Sequence, residues 1–96
     1  MFQLFVIYDS KIPVYEELVQ FRSAPEAIRG LSDLISSQKE HKYAKHPEDF
    51  TLFQIAEWDN QTGVLAALPT PVSVCRLIDI VSLSDDHRAP RMSDVA

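Results

Sequence analysis

The chain has 96 residues, which is room for one domain, and at that length folding hides only about 60 to 65% of the surface that the unfolded chain exposes. Charged residues make up 24% of an otherwise ordinary globular composition, which excludes a disordered chain. Fourteen acidic and nine basic side chains give a net charge of −5, which argues against a protein that coats nucleic acid by charge alone. Any nucleic-acid site must therefore be local.

Cysteine usage and hydropathy predict where the protein resides. Cys75 is the single cysteine, so no intramolecular disulfide can form, and its apolar neighbours in VSVCRLIDIV indicate a thiol that fills space in a strand. No run of about 18 apolar residues exists, and the opening MFQLFVIYDSK lacks the basic start and the length of a signal peptide. These features predict a cytoplasmic protein with no membrane partner.

The first residues predict two strands. Residues 2–8 are a short run of β-branched and aromatic residues closed by the turn formers Asp9 and Ser10, a pattern typical of a central strand buried on both faces. Residues 15–22 alternate less cleanly and predict a short extended segment.

A helix is predicted from Pro25 to about Gln38. Ser23 can cap its unpaired amide groups, Pro25 fits the first turn, and Glu26 completes a capping box. Gly30 inside this helix costs about 1 kcal/mol relative to alanine, which either reflects close approach of a neighbouring backbone or has no structural reason. Apolar residues at three- and four-residue spacing give the helix one face for the core: Ala27, Ile28, Leu31, Leu34 and Ile35.

The second half of the chain predicts three strands. Residues 51–58 carry apolar side chains at both parities, as expected for a strand covered on two faces. The loop DNQTG that follows contains turn formers and a glycine, so residues 64–68 should return as a hairpin partner. Pro69 and Pro71 are expected to break that strand, and residues 72–81 to form the last one.

The order of elements, ββαβββ, predicts an α+β fold in which one helix packs on a small, mainly antiparallel sheet of four to five strands. A single domain should span residues 1–81. Residues 82–96 are polar and show no periodicity, so they should form a disordered tail. Because the strands carry apolar residues on both faces and one helix covers one face, we expect a homodimer through the open face.

The stretch HPEDF, residues 46–50, could serve chemistry or could be a turn that launches a strand. Pro47 disfavours helix at His46, and the two carboxylates that follow suit the amide groups of a short turn. The spacing of His41 and His46 matches no metal motif, and adjacent carboxylates in a turn are usually solvated. The stretch therefore predicts a structural turn, with no metal site and no cofactor.

Motifs for catalysis are not found in the sequence. There is no G-x-S-x-G, no cysteine with a catalytic histidine in motif, and no glycine loop that could cradle a phosphate, since the chain holds only two glycines. We therefore expect a protein that is not an enzyme.

The segment KEHKYAKH, residues 39–46, concentrates positive charge. Its three lysines and one glutamate give +2, which leaves −7 for the rest of a chain whose total is −5. Lys39, Lys42 and Lys45 recur every three residues, as along one side of a helix end, where cations also suit the negative pole of the helix dipole. The alternative is a weak, salt-sensitive phosphate patch in which Tyr43 stacks on an unpaired base and Arg22 assists.

These motifs together resemble the small nonstructural protein of gokushovirus-type microviruses, which are single-stranded DNA phages. The resemblance covers most of residues 1–81 and consists of a short first strand, the helix start in FRSAPEAIRGLSDLI, the HPEDF box, an aromatic strand and a D-x-x-TG hairpin. The matched positions are His46, Pro47, Glu48, Asp49, Phe50, Thr62 and Gly63.

The resemblance implies a nonenzymatic DNA-binding or packaging protein of the host cytoplasm. Its counterpart would be the microvirus C protein, which shifts replication from duplex synthesis to single-strand synthesis and packaging. Single-stranded DNA or a replication intermediate would then contact the basic run. The alternative, which the net charge and the two-sided strands favour, is a dimeric adaptor that docks on a phage or host replication protein or on the procapsid without touching DNA. The residues expected to contact DNA are Lys39, Lys42, Tyr43, Lys45 and Arg22.

Overall fold

The computed structural model describes residues 1–81, and the expected tail at 82–96 lies outside the described residues. Among residues 1–81, no helix is long and apolar enough to cross a membrane. In chain order the elements are β1 (Phe2–Asp9), β2 (Val14–Phe21), α1 (Ala24–Ser37), α2 (Lys42–Lys45), a 3-10 turn (Pro47–Asp49), β3 (Phe50–Trp58), β4 (Leu65–Arg76) and a helical segment at 77–81.

The four strands form one antiparallel sheet in the order β2-β1-β3-β4. The predicted α+β fold, with the main helix between β2 and β3, is confirmed. β1 occupies a central position, as its apolar sequence predicts, while β2 and β4 form the two edges.

Helix α1 begins where its capping residues predict. The Ser23 hydroxyl accepts a hydrogen bond from the amide of Glu26 at 3.3 Å, which satisfies one of the unpaired donors of the first turn. Ala27, Leu31 and Ile35 form the buried stripe, and the other apolar residues of the predicted face pack along its flank.

Gly30 lies against the side chain of Phe21. A methyl group built on Gly30 would lie 2.9 Å from both Cε1 and Cζ of Phe21, at the end of β2. The neighbour that requires a glycine here is therefore an aromatic side chain, and not a backbone.

The last two predicted strands are a single strand, so the prediction that the prolines break it is wrong. The ladder with β3 skips residues 68–71, which lie between the partners of Gln54 and Ala56. Pro69 and Pro71 both fall in this unpaired segment of an edge strand. Because no ladder hydrogen bond is required there, a residue without an N–H group is tolerated.

The helical elements all pack on one face of the sheet. Residues 77–81 are helical, so the prediction that they form a strand is wrong. In a helix Leu77 and Ile80 can both face the core, whereas in a strand residues three apart would point to opposite faces. The core consists of Phe5, Ile7, Ala27, Leu31, Ile35, Tyr43, Phe50, Leu52, Leu77 and Ile80. Among residues 1–81, no helix covers the other face, which we call the open face.

Candidate nucleic-acid interface

The three lysines of the basic run do not lie on one helix. Helix α1 ends before Lys39 and has no basic residue in its last turn, but Lys42 and Lys45 lie in the last turn of α2. The interpretation that the lysines suit a helix end is therefore confirmed for these two and wrong for Lys39. Lys42 Nζ lies 2.7 Å from Glu16 Oε1 on β2, and this hydrogen bond raises the pKa of Lys42. Lys45 makes a loose, exposed pair with a neighbouring glutamate at 3.7 Å. The charge of Lys42 is thus balanced within the protein.

Tyr43 belongs to the core. Its side chain is 2% exposed, its hydroxyl donates a hydrogen bond to Glu16 Oε1 at 3.1 Å, and its ring meets the edge of Phe50 with centroids 4.8 Å apart. Burial, followed by the nearby Glu16 carboxylate, raises the pKa of the Tyr43 phenol. The prediction that Tyr43 stacks on a base is wrong, because the ring cannot reach a ligand without unpacking α2.

Arg22 is exposed in the bend between β2 and α1. It comes directly after the last residue of β2, whereas Lys42 and Lys45 lie on α2. Arg22 and these lysines thus belong to different elements of the fold.

The HPEDF stretch forms a single 3-10 turn that leads into β3. Pro47 is buried, and the backbone carbonyl of Asp49 accepts hydrogen bonds from both the amide and the hydroxyl of Ser10, each at 3.0 Å. Phe50 then starts β3 as a buried residue. The turn thus ties the start of β3 to the end of β1.

The ligand atoms of His46, Glu48 and Asp49 lie within 4.8 Å of one another. His46 and Glu48 are exposed, with His46 Nδ1 4.0 Å from Glu48 Oε1. Polar side chains that are neighbours on a solvated turn are expected to lie this close together without any ion, so we assign no metal site to them.

Thr62 and Gly63, the other positions matched by the resemblance, shape the turn between β3 and β4. The Asp59 carboxylate accepts from the Gln61 amide at 2.8 Å, which lowers the pKa of Asp59, and the Thr62 hydroxyl accepts from the amide of Val64 at 3.3 Å. Gly63 has φ of +77°, the left-handed conformation that favours glycine. The roles of these residues in the structure are those of a turn.

The open face carries aromatic residues that the sequence analysis did not single out. Strand pairing places Tyr15, Tyr8, Thr51 and Arg76 in one row across all four strands. The rings of Tyr8 and Tyr15 lie 4.9 Å apart, and Phe53 meets them edge-on at 6.2 and 5.6 Å. We call Tyr8, Tyr15 and Phe53 the aromatic triad.

The aromatic triad is accessible, and the residues paired around it on the face are uncharged apart from Arg76. Tyr15 is 50% exposed, Tyr8 and Phe53 are half-buried, and Arg76 is exposed. Among the residues of 1–81 that strand pairing assigns to this face, Arg76 is the one that is charged; Glu17 and Leu18, in the β2 bulge, have no partner in the pairing. The residues placed there are Phe2, Leu4, Val6, Tyr8, Tyr15, Gln20, Thr51, Phe53, Ala56, Trp58, Leu65, Ala67, Ser73 and Arg76.

Residues 2–80 match the Phage ORF5 protein family. The chain belongs to this family. It is therefore a phage protein, and the matched segment contains the HPEDF turn, the aromatic triad and Arg76. No curated protein and no solved structure matches the chain.

A bulge in β2 of this ORF5-family protein shifts the alternation of the strand, so that Tyr15 lies on the same face as Gln20, five residues later. The pairing with β1 shifts between Phe5 and Ile7, and Glu17 at the shift has φ of 57°, uncommon for a residue other than glycine. Sequence alternation alone could not locate this shift. The sequence shows two tyrosines and a phenylalanine in three separate strands. That these residues form a cluster can be recognised only when the strand order is known.

Proposed function

We propose that this ORF5-family protein is not an enzyme and binds single-stranded DNA through the aromatic triad and Arg76, in the host cytoplasm, during the replication switch or genome packaging. The observation that supports it best is the triad itself, a partly exposed aromatic cluster in the same row as an exposed arginine. Unpaired bases present flat faces that stack on aromatic side chains, whereas a duplex keeps its bases stacked inside. Arg76, in the row of Tyr15 and Tyr8, supplies the charge for a phosphate.

The expected affinity is modest. Stacking of a base on an aromatic side chain contributes about 1–3 kcal/mol, so three rings and one arginine correspond to a dissociation constant between about 1 mM and 1 μM. One phosphate contact on a single strand contributes a slope of only about −0.7 to the dependence of log K on log salt. The protein should therefore prefer single strands and should bind them with a weak dependence on salt.

The lysine run offers a second surface for the same ligand, on the helix side of the sheet. Lys39, Lys42 and Lys45 would contact phosphates alone, since Tyr43 is buried and Lys42 is already paired with Glu16. Phosphate contacts do not require unpaired bases. Binding there should therefore be similar for duplex and single strand and should fall more steeply with salt.

The test is fluorescence anisotropy of a labelled single-stranded oligonucleotide, with a duplex control, at about 50 and 200 mM salt. We expect Tyr15→Ala to weaken single-strand binding about tenfold, since one stacking contact is worth about 1–3 kcal/mol. Val14→Ala is the matched control, because Val14 is similarly exposed, precedes Tyr15 on β2 and points to the other face. A loss caused by Lys42→Glu with Lys45→Glu, and not by Tyr15→Ala, would move the site to the lysine run.

Absence of binding at both salts would favour the second candidate, a dimeric adaptor that docks on a phage or host replication protein or on the procapsid. The observation in its favour is the exposure of large apolar side chains near the β3–β4 turn: Val64 is 62% and Leu65 is 59% exposed. Affinity capture from infected cells, with Leu65→Glu as the negative control, tests this candidate.

A further inference from the structure

The end of the open face that lies away from the aromatic triad carries a row of large apolar side chains. Strand pairing places Phe2, Trp58 and Leu65 side by side on β1, β3 and β4, and we call them the apolar row. The rings of Phe2 and Trp58 stack with centroids 6.1 Å apart, and Leu65 is 59% exposed. Trp58 Nε1 donates a hydrogen bond to Gln20 Oε1 at 2.8 Å, so the polar atom of the indole does not depend on water.

The adjacent row of the sheet carries smaller side chains on β3 and β4. It consists of Gln20, Leu4, Ala56 and Ala67, so at its β3–β4 end the side chains are single methyl groups, of which Ala56 is buried and Ala67 is exposed. A ridge of large side chains thus lies beside a step of small ones on the same face. Such a surface is complementary to itself, because rotation by 180° places the ridge of one copy over the step of another.

We propose that a second copy of this chain docks on the apolar row, with the open faces of the two sheets packed on each other at that end. Face-to-face sheets pack about 10 Å apart with interdigitating side chains, which a ridge and a step permit. The contact buries no charged side chain of either row, because strand pairing places no charged residue there. The repulsion between two copies of net charge −5 acts from outside the two rows and is screened by salt. Trp58 at the centre of the ridge is the residue type most often found at energetic centres of interfaces.

The contact covers one end of a small sheet, so it belongs to the low end of interface sizes, where association is weak and depends on concentration. The aromatic triad lies at the other end of the face and stays accessible in this arrangement. One step rests on the proposed single-strand binding: if that binding holds, the dimer presents two triads to one DNA strand. Linked sites can raise the overall affinity by about a hundredfold or more.

The chain carries its own probe for this contact. Trp58 is the single tryptophan, so its emission reports on the apolar row alone. Sedimentation velocity and tryptophan emission should be followed from about 1 to 500 μM protein. We expect the average mass to rise toward that of a dimer, with a blue shift of the emission over the same concentrations as water leaves the indole.

Leu65→Glu is the disruptive variant and Val72→Glu the matched control. Both residues are exposed on β4, at 59% and 49%, but Val72 pairs with Gln54 opposite Phe5, on the helix side of the sheet. Leu65→Glu should raise the dimer dissociation constant at least about tenfold, which corresponds to about 1.4 kcal/mol, and Val72→Glu should leave it unchanged. Thermal unfolding confirms that both variants fold.

A wild-type protein that stays monomeric over this range overturns the proposal, and so does equal weakening by the two variants. DNA measurements separate this proposal from the proposed function. Leu65→Glu should bind a short oligonucleotide of about eight nucleotides as wild type does, and should lose affinity only for one long enough to span two sites. A dimer that binds neither oligonucleotide leaves this inference standing and rejects the proposed DNA binding.

Discussion

Glu16 on β2 accepts a hydrogen bond from the buried Tyr43 hydroxyl at 3.1 Å, across 27 positions of sequence. The same carboxylate oxygen lies 2.7 Å from Lys42 Nζ. A helix as short as α2 is not stable alone, so its position depends on such tertiary contacts. Two residues that a basic, aromatic run predicts to contact DNA instead attach α2 to the sheet.

The first prediction concerns stability at alkaline pH. The raised pKa of Tyr43 means that the folded state keeps the phenol proton after the unfolded chain, with the ordinary value of 10.0, has lost it. The stability from this group is therefore complete below about pH 10 and falls above it, by about 1.4 kcal/mol per pH unit. Tyr43→Phe should remove this component and should lower the free energy of unfolding at neutral pH by about 1 kcal/mol.

Urea unfolding between about pH 8 and 11 measures both effects. The raised pKa of Lys42 adds a fall in the same direction, but it is common to wild type and Tyr43→Phe, so their difference isolates the phenol. Unfolding free energies that stay parallel across this range would contradict the prediction.

The second prediction concerns Gly30 and Phe21. Alanine at position 30 gains about 1 kcal/mol of helix propensity but must displace the Phe21 ring, which packs edge-on against Phe5, and such overpacking costs about 1–3 kcal/mol. We expect Gly30→Ala to lower the free energy of unfolding by about 1 kcal/mol. In a Phe21→Leu background, which lacks the two contacting ring atoms, the same change should become stabilising.

The third prediction concerns the β3–β4 turn. A methyl group on Gly63 would touch nothing within 4 Å, so any effect of Gly63→Ala comes from its φ of +77°. We expect a loss of about 1–2 kcal/mol. Gln61→Ala keeps the backbone amide that donates to Asp59 and should change stability by less than about 0.5 kcal/mol. Equal effects of the two variants would show that the turn is not held by backbone conformation.

Local signals in the sequence predicted the first half of the fold well. The capping residue Ser23 and the apolar stripe fixed α1 to within one residue at each end, because both signals act within one or two helical turns. β1 is central because residues on both of its faces are apolar. These features need no knowledge of distant parts of the chain.

The errors arise where distant segments decide the outcome. A proline breaks a strand only where the ladder needs an N–H group at its position. Whether the ladder with β3 skips Pro69 and Pro71 depends on pairing that the sequence does not display. Tyr43 looks like a ligand residue next to lysines, but Glu16 and Phe50 enclose it. The aromatic triad is invisible for the same reason, since its members share a surface only through strand order and the β2 bulge.

The fourth prediction separates charge from stacking on the open face. Arg76 should contribute one phosphate contact, so Arg76→Gln should make the slope of log K against log salt shallower by about 0.7 and should retain the preference for single strands. Tyr15→Ala should leave that slope unchanged and should reduce the preference for single strands, because it removes stacking and leaves the phosphate contact. Arg29→Gln is the control for net charge, since Arg29 is exposed on α1, on the helix side of the sheet. If Arg29→Gln flattens the slope as much as Arg76→Gln, the DNA follows the overall field of the protein, and the row that joins Arg76 to the tyrosines is not its site.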